Sequence, residues 1–599
     1  MEEDSLFEVS WEVCNKVGGI NTVLVSKALE IKSFYKKNYL LIGPYFVDNA
    51  AGQFQEELPE AELKTVFSYL EKRGIKCHKG KWLIQGEPDV ILIDFINFWP
   101  EANTIKRELW DNFKIDSLNA GYDFDEPALW SWAAGMLIEQ LAALRKEKRT
   151  IAHFHEWLSG AGLLYLAAKH SGVKTVFTTH ATVLGRTLAN SNVDIYSLLD
   201  KIDVNKEIYK YNIAGKHLLE KASANHAAVF TTVSEITNLE AKYLLGKKAD
   251  VILSNGLDIE KFSTFEEATL KHRIQRNRIR EFLQYFFFPY YTFDLEETLI
   301  YFAASRYEFK NKGIDITIKA LGELNEKLKK EHSKKTIVVF FWVPSAIRGI
   351  KMELLEHRIK YEDIKDSFKE IAQDAKEKLL LSLVSQKEIN RQSLFSKEFL
   401  DEIKRKILIF NRKGEAMRCT HDLVDPNDII LKKFKEANLN NNAKDKVKVI
   451  FYPTYLNGSD GLLNLNYYES ITGSHLGIFP SYYEPWGYTP METAALGVAS
   501  ITTDLSGCGR FISQYVKGKK YPGIFLLKFL SASVESAVGG QRGESEVASD
   551  LADIMHKFSK LSTHERIQNK IAARDIAAKA DWDVLIKNYL DAYNLALSK

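Results

Sequence analysis

The chain has 599 residues, 45% hydrophobic and 27% charged, a composition typical of a folded globular protein and a length too great for one hydrophobic core. Its formal net charge of +2 gives no reason to expect nucleic acid or an anionic membrane as partner. The cysteines Cys14, Cys77, Cys419 and Cys508 are far apart and form no CxxC pair. We therefore expect no disulfide framework and no zinc site, as in a reducing compartment.

The amino terminus, MEEDSLFEVSWEV, is acidic and soon strand-like, so it does not read as a signal peptide. The most apolar helical stretch, 128–144, contains Ser131, Glu139 and Gln140 and is too short for a membrane span. We expect a cytoplasmic protein that does not bind a membrane.

Strand-like and helix-like segments alternate through both ends of the chain, which predicts an α/β fold with parallel sheets. Strands are predicted at 39–42, 90–93, 150–153, 175–178, 229–233, 250–253, 299–304, 336–341, 447–451 and 476–480. Two such sheets that face each other leave a cleft, which is the usual place for a small-molecule site.

Two segments interrupt this alternation. Residues 263–294 are charged and then aromatic, and we interpret them as a helix and a connecting segment between domains 1–262 and 295–575. Residues 348–440 are rich in Lys, Glu, Leu and Ile, and read either as a solvated helical hairpin or as an oligomerisation insert. The last segment, 582–599, has aromatic and aliphatic residues at helical spacing.

The motif Lys16-Val17-Gly18-Gly19-Ile20 follows the first strand and precedes a helix predicted over 22–29. Paired glycines let the backbone approach a ligand, and a helix N-terminus favours negative charge. Lys16 adds a positive charge at the same place. A plain tight turn is the alternative reading.

Histidines end two of the predicted strands. His153 and His155 would face one side of a strand, but without the i, i+4 pattern or a third clustered ligand they do not predict a metal site. The alternative is a strand end whose imidazoles bond nearby backbone. His180 ends the next strand and precedes Arg186 by six residues; on its own it would be taken as structural.

The segment Ser305-Arg306-Tyr307-Glu308-Phe309-Lys310-Asn311-Lys312-Gly313 follows the first strand of the second domain. A charge run is by default a solvated loop. Arg306 directly after a buried strand and Lys312 before a helix are nevertheless placed to clamp a diphosphate, the first as a fork and the second as a point charge.

The stretch FPSYYEPWGYTPMETAALG carries two carboxylates, Glu484 and Glu492, across a strand-to-helix junction, where open α/β sheets bind ligands. Thr489, Pro490 and Glu492 read as a capping box. Glu492 could be only a helix cap and Trp486 only a loop plug. An acid (Glu484), an aromatic ring (Trp486) and a residue without a side chain (Gly487) within four positions favour a substrate site.

These motifs resemble those of one family. S-Y-Y-E-P-W-G-Y-T-P-x-E is similar to the E-x7-E signature of retaining GT-B glycosyltransferases, in the form found in animal and fungal glycogen synthases. K-V-G-G-I, H-F-H-E-W-L, T-T-H-A-T-x-L-G-R and G-R-Y-E-x-K-N-K-G also match, except that Ser305 replaces a glycine. The resemblance covers nearly the whole chain.

The resemblance implies a GT-B fold of two facing Rossmann-like domains. It implies that domain 1–262 lies on the acceptor side, that domain 295–575 binds the nucleotide sugar, and that insertion 348–440 joins subunits. The C-terminal segment 576–599 would be a helix that crosses back to the first domain.

The resemblance also implies residue roles. Glu484 would hold the donor sugar and stabilise its cationic ring, and His180 would hydrogen-bond the sugar, its 6-hydroxyl in particular, with its carbonyl facing the reacting carbon. Arg306 and Lys312 would neutralise the leaving diphosphate. The donor-binding set would be completed by Lys16, Gly18, Gly19, Arg186 (near the phosphates or a neighbouring acid), Tyr467 (stacked on the nucleobase), Trp486, Gly487 and Glu492 (on the ribose).

The activity implied is retaining transfer of glucose from UDP-glucose to the non-reducing end of an α-1,4-glucan such as glycogen. No cofactor or metal is expected, because these cations can neutralise the diphosphate and no Asp-x-Asp motif is evident in the segments expected to line the cleft. The implied partners are the glucan, a homo-oligomer (dimer or tetramer) and a glycogenin-type primer. An ADP-glucose-dependent glucan synthase and an inactive glucan-binding scaffold stay open as alternatives.

Family members with phosphorylated tails also sense glucose 6-phosphate through an arginine-rich helix. The matching helix, 564–575, keeps Arg566 and Lys570 but lacks most other basic positions, and the chain leaves little room for the tails. Glu266 and Thr269 replace effector-binding residues, whereas the remaining candidate positions are compatible: His272, Arg276 and His475. We expect phosphorylation control to be absent and the effector response weakened or lost.

Overall fold

The computed structural model of the chain describes residues 4–145, 149–262, 265–530 and 542–599, and the side chains of 265–269 lie outside that description. The described residues form two large sheets, one of nine strands and one of six. The first has the order β3-β4-β5-β2-β1-β6-β7-β8-β9 and the second β14-β11-β10-β15-β16-β17. The strands are β1 (Ser5–Val9), β2 (Tyr39–Pro44), β3 (Phe54–Glu56), β4 (Lys76–Trp82), β5 (Asp89–Asp94), β6 (Thr150–His155), β7 (Lys174–Thr179), β8 (Val229–Thr232), β9 (Val251–Ile252), β10 (Thr298–Ala304), β11 (Thr336–Trp342), β12 (Ile347–Ile350), β13 (His421–Leu423), β14 (Val447–Tyr452), β15 (Leu476–Ile478), β16 (Ala499–Thr503) and β17 (Ile524–Leu527).

Helices connect the strands and cover both faces of each sheet. Those up to the domain junction are α1 (Gly19–Tyr35), α2 (Val47–Ala50), α3 (Ala61–Glu71), α4 (Ala102–Phe113), α5 (Tyr122–Leu144), α6 (Gly160–Ala168), α7 (Val183–Asn190), α8 (Ile195–Leu198), α9 (Val204–Lys210), α10 (Ala214–His226), α11 (Glu235–Glu240) and α12 (Phe265–Phe287). Those that follow are α13 (Ile314–Lys330), α14 (Met352–Val384), α15 (Arg391–Leu394), α16 (Lys397–Phe410), α17 (Ile429–Glu436), α18 (Tyr467–Gly473), α19 (Tyr488–Ala495), α20 (Gly507–Val516), α21 (Glu544–Lys560), α22 (Thr563–Ala577) and α23 (Trp582–Ser598).

The prediction of an α/β fold with two parallel-sheet domains is confirmed. The second sheet is parallel throughout, and in the first only β3 and β4 pair antiparallel with their neighbours. Strand residues alternate between the two faces: in β10, Tyr301 enters one apolar cluster while Ile300 and Phe302 enter another. Burial on both faces explains why these strands are apolar runs.

The chain ends on the first domain, because α23 packs against α1, β6 and β7. Trp582 on α23 donates from its indole nitrogen to Ser26 Oγ at 2.8 Å, and Tyr593 on α23 lies 2.9 Å from His153 Nδ1 through its hydroxyl. The insertion consists of helices α14 to α16, which pack on one another, with β12 and β13 paired antiparallel at its base.

The two domains touch through the loop that precedes α19. Ser234 Oγ donates to the Pro485 carbonyl at 2.7 Å, and the Tyr483 hydroxyl lies 3.3 Å from Glu240 Oε2. These contacts bring the strand ends of the first sheet next to the Glu484 loop. Among the described residues, no helix is both long enough and apolar enough to cross a membrane.

Candidate functional site

A cavity of about 180 Å³ lies at the carboxyl ends of β10, β15 and β16. It is lined by Arg306, Lys312, Ser481, Glu484 and Gly487, together with the first residues of α13 and α19. Helix N-termini carry a partial positive charge, so two helices and two cationic side chains converge on one small volume. The cavity is therefore suited to a group with several negative charges, such as a diphosphate.

Lys312 and Glu484 form an ion pair inside this cavity. Lys312 Nζ lies 2.5 Å from Glu484 Oε2, and the two side chains keep 13% and 24% of their exposure. Ser481 Oγ lies 3.4 Å from the same carboxylate oxygen. The ammonium thus has a counter-charge when no ligand is present and is free to turn towards an anionic one.

Arg306 stands at the mouth of the cavity, with its side chain 78% exposed. Its guanidinium pairs with Glu308 Oε1 at 2.9 Å. Exposed pairs of this kind contribute little to stability. Arg306 is therefore available to a ligand at small cost.

Two glycines give the cavity its shape. Gly313 caps α13 with φ of 65°, and a Cβ there would lie 2.0 Å from the Pro480 carbonyl oxygen. Gly487 caps α19 with φ of 98°, in the left-handed region that favours glycine. Each glycine lets the chain pass from strand end to helix in one sharp turn.

The capping box predicted at Thr489 and Glu492 is wrong. The helix begins at Tyr488, because Gly487 takes the left-handed cap, and no side chain caps it. Glu492 instead accepts a hydrogen bond of 3.0 Å from the Tyr468 hydroxyl, and burial raises the pKa of its carboxyl. Tyr467 lies beside Thr489 and the Glu492 carboxylate, and burial raises the pKa of its phenol well above the ordinary value.

Trp486 does not line the cavity with Glu484. It is 5% exposed and belongs to the apolar cluster that α1, α19, α20 and α23 build. Its ring lies 5.7 Å from that of Phe511, beside a separate cavity between the domains. The structure thus supports a packing role for Trp486 and gives no contact with the Glu484 cavity.

In the first domain, the Lys16 loop is exposed but its helix N-terminus is already occupied. Glu12 Oε2 accepts from the backbone N–H groups of Gly18 at 2.8 Å and Asn21 at 2.9 Å. Burial raises the pKa of Glu12 although these bonds favour its charge. An anion at Gly18 would compete with this carboxylate, whereas Gly19 has open space around its Cα and Lys16 is exposed.

Arg186 lies among acids of its own domain. Partial desolvation by the surrounding protein would lower the pKa of its guanidinium, but the charge of Glu156, followed by those of Tyr483 and Glu220, outweighs that effect and raises it. The Arg186 side chain is exposed to solvent. Arg186 was expected near the donor phosphates or near a neighbouring acid, and the structure places it near an acid, Glu156.

His180 is part of a buried polar chain. Its Nε2 lies 2.9 Å from His155 Nδ1, and His155 Nε2 lies 2.7 Å from Glu8 Oε1. Glu8 also accepts from Lys27 and, at 2.5 Å, from the Tyr39 hydroxyl. The alternative in which the imidazoles of His153 and His155 bond backbone is wrong, since their partners are side chains.

Glu8, His153 and His155 offer ligand atoms close enough to hold a metal ion. The Lys27 ammonium already pairs with Glu8 at this place, and all of these side chains have zero exposure. Because the Lys27 ammonium already occupies this place, binding of a metal cation beside it would be unfavourable. The cluster is better described as a hydrogen-bonded network that supports His180 than as a metal centre.

The candidate effector residues come together at α12, α18 and α22. Burial and the charges of Arg276 and Arg566 lower the pKa of Lys570 to about 7, and burial lowers the pKa of His272 to about 3. His475 Nδ1 accepts from the Ile300 N–H at 3.0 Å. The side chains of Glu266 and Thr269 lie outside the described residues.

The sequence reasoning missed Glu8, Glu12, Glu156 and Glu240, all buried carboxylates in the first domain. Glu156 Oε1 accepts from the N–H groups of His180 and Ala181, each at 2.9 Å, and so holds the backbone at His180. A buried acid inside an apolar strand is a visible signal for Glu8. Glu240 sits on an ordinary amphipathic helix and gave no such signal.

Comparison with known proteins gives a consistent result. The family model described as glycogen synthase matches residues 8–599. The liver glycogen [starch] synthase of Mus musculus is 35% identical over 603 residues, covering 100% of this chain and 84% of the mouse protein. Glycogen [starch] synthase isoform 2 of Saccharomyces cerevisiae is 35% identical over 625 residues, covering 100% and 87%. The glycogen [starch] synthase of Dictyostelium discoideum is 35% identical over 599 residues, covering 99% and 66%.

Proposed function

The chain belongs to the glycogen synthase family and is a glycosyltransferase, and we propose that it transfers glucose from UDP-glucose to the non-reducing end of an α-1,4-glucan with retention of configuration. The observation that carries the proposal is the cavity in which Arg306, Lys312 and Glu484 meet two helix N-termini. Glycosyl transfer from a nucleotide sugar is favoured by positive charge at the leaving diphosphate and by negative charge near the sugar ring.

The charge distribution of the cavity fits that reaction. Negative charge grows on the leaving oxygen as the bond to the sugar breaks, and preorganised cations stabilise it. Lys312, released from Glu484, and Arg306 would take the phosphate oxygens, with α13 and α19 directed at the same place. Glu484 would then face the positive charge that develops on the sugar ring.

The donor site is completed across the cleft. The residues that line the cavity all come from the second domain, whereas Lys16, His180 and Arg186 belong to the first. Closure of the domains would bring the first-domain residues onto the donor and exclude water, which limits hydrolysis. In this proposal the domains would rotate about the contact between Tyr483 and Glu240.

We further propose a homo-oligomer that assembles through the insertion. The C-terminal end of α14 exposes apolar side chains: Leu380, Leu381 and Leu383 are 59–64% exposed. Clustered exposed apolar residues of this kind mark interaction surfaces. The acceptor glucan, a glycogenin-type primer and a cytoplasmic location complete the proposal on the strength of the family alone.

The direct test is transfer of labelled glucose to glycogen from UDP-glucose and, separately, from ADP-glucose. We expect transfer from UDP-glucose, and a loss of about 10²–10³-fold in kcat for Arg306→Ala and for Glu484→Gln. The matched controls Arg391→Ala and Glu388→Gln change exposed residues of the insertion and should keep wild-type rates.

Three outcomes would contradict the proposal. Transfer from ADP-glucose alone would favour the ADP-glucose-dependent glucan synthase. No transfer from either donor, with glycogen still bound, would favour a glucan-binding scaffold. Transfer that survives both substitutions would move the site away from this cavity.

A further inference from the structure

Five buried side chains form a continuous hydrogen-bonded chain that ends at His180. Glu8 on β1 accepts from Lys27 on α1, from Tyr39 on β2 and from His155 on β6, and His155 in turn bonds His180. The first four are 0–1% exposed and His180 is 7% exposed. Only the last member of the chain can therefore meet a ligand.

The charge at the closed end of the chain is fixed. Burial alone would raise the pKa of Glu8, but the Lys27 ammonium and the bond from His155 bring it well below the ordinary value. Glu8 is thus a carboxylate, which only accepts hydrogen bonds. The nitrogen that faces it, His155 Nε2, must carry a hydrogen and donate.

The protonation of both imidazoles follows from this. Burial lowers the pKa of His155, so the ring is neutral and its Nδ1 is a lone pair that accepts from His180 Nε2 at 2.9 Å. Burial and neighbouring positive charge lower the pKa of His180 well below its ordinary value, so this ring is neutral too. With its hydrogen on Nε2, His180 presents an unprotonated Nδ1.

We propose that Glu8 and His155 are positioning residues which hold His180 in the tautomer whose Nδ1 accepts a hydrogen bond from a hydroxyl of the donor sugar. The inference rests on the proposed function, since it requires a sugar donor beside His180. An acceptor-only nitrogen selects a sugar that has a free hydroxyl at that position. A deoxy sugar would leave this nitrogen unpaired once water is excluded.

His180 has a second neutral tautomer, and variants of His155 can test whether the hydrogen bond to His155 excludes it. If His155 cannot accept, the His180 Nε2 hydrogen loses its partner and the ring is free to adopt the other tautomer. His155→Phe removes both bonds of the ring, whereas His155→Gln keeps one donor and one acceptor on its amide. The two variants therefore separate the hydrogen bonds from the filled volume.

The first experiment measures kcat/KM with UDP-glucose and with UDP-6-deoxyglucose for the wild type and both variants. We expect the wild type to prefer the hydroxylated donor by roughly 10- to 100-fold. His155→Phe should lose most of that preference, mainly because its kcat/KM with UDP-glucose falls. His155→Gln should recover part of the preference. Equal losses on both donors, with the preference unchanged, would overturn the proposal and leave His155 a structural residue.

The second experiment needs no activity. Wild-type protein labelled with ¹⁵N-histidine, with His180 assigned from a His180→Asn variant, should show a protonated Nε2 and an unprotonated Nδ1. A protonated Nδ1 would refute the proposed tautomer. If the wild type transfers no glucose, the proposed function fails, and this spectrum still decides the protonation of His180.

Discussion

The Tyr483 hydroxyl of the second domain lies 3.3 Å from Glu240 Oε2 of the first, one residue before Glu484. Glu240 also accepts from Thr182 at 2.6 Å and from Tyr196 at 2.9 Å. Thr182 caps α7, two residues after His180. A single buried carboxyl thus joins the loop of His180 to the loop of Glu484.

Glu240 should make the stability of the protein depend on pH. Burial, opposed by its hydrogen bonds, raises the pKa of its carboxyl to about 7. Between the ordinary carboxyl range and that value, the unfolded chain loses a proton that the folded chain retains, so wild-type stability falls as pH rises. Glu240→Gln has no such proton. Relative to wild type, its free energy of unfolding should rise by on the order of 1–3 kcal/mol from pH 5 to pH 8.

The Glu240 prediction is checked by denaturant unfolding at several pH values. The matched control is Glu388→Gln, an exposed acid of the insertion, whose stability should follow wild type throughout. Parallel curves for Glu240→Gln and wild type would show that the carboxyl does not titrate in this interval.

Lys312 should matter for the chemical step more than for folding. Lys312→Met removes the ammonium that faces Glu484, so we expect kcat to fall by about 10²–10³-fold with little change in Tm. Lys310→Met is the matched control: two residues away, Lys310 lines a different cavity and should keep wild-type kcat. Steady-state kinetics on both variants checks this. A loss confined to KM would mean that Lys312 only binds the donor.

Lys570 should destabilise the protein at neutral pH. Its pKa of about 7, lowered by burial and by Arg276 and Arg566, means that the unfolded chain takes up a proton well before the folded chain does as pH falls. Lys570→Met avoids this cost. Its free energy of unfolding relative to wild type should increase between pH 10 and pH 6, by roughly 1–3 kcal/mol. Exposed Lys579→Met should show no such trend.

Glucose 6-phosphate should activate the enzyme by less than about fivefold, below the usual range of allosteric coupling. The helix α22 retains Arg566 and Lys570 but few other basic residues, and Lys570 is only partly charged at neutral pH. Initial rates with and without the effector, at subsaturating donor, check this expectation. Strong activation that disappears in Arg566→Ala would show instead a functional effector site.

The oligomer should depend on the apolar C-terminal end of α14. Leu381→Glu combined with Leu383→Glu places two charges on that surface, and we expect the mass in solution to fall to that of a smaller species. Leu118→Glu changes an 80% exposed leucine of the first domain and is the matched control. Light scattering measures the mass. An oligomer unchanged in the double variant would place the interface elsewhere.

The sequence by itself determined the two-sheet α/β architecture, because strands buried on both faces must be apolar runs separated by helical connections. It also singled out Arg306, Lys312 and Glu484, since each follows a strand end, and strand ends of a parallel sheet share one edge. Local patterning was sufficient for these inferences, because both strand character and strand-end position are encoded within a few residues.

Only the tertiary structure decided which partners the buried polar groups have. Gly487, through a left-handed φ, started α19 early and released Glu492 to Tyr468, an outcome that no local pattern at Thr489 specified. Trp486 packs in the core. His155 bonds both Glu8, 147 residues away in sequence, and His180, 25 residues away. Hydrogen bonds between distant segments depend on register and packing, which a reading of neighbouring residues does not contain.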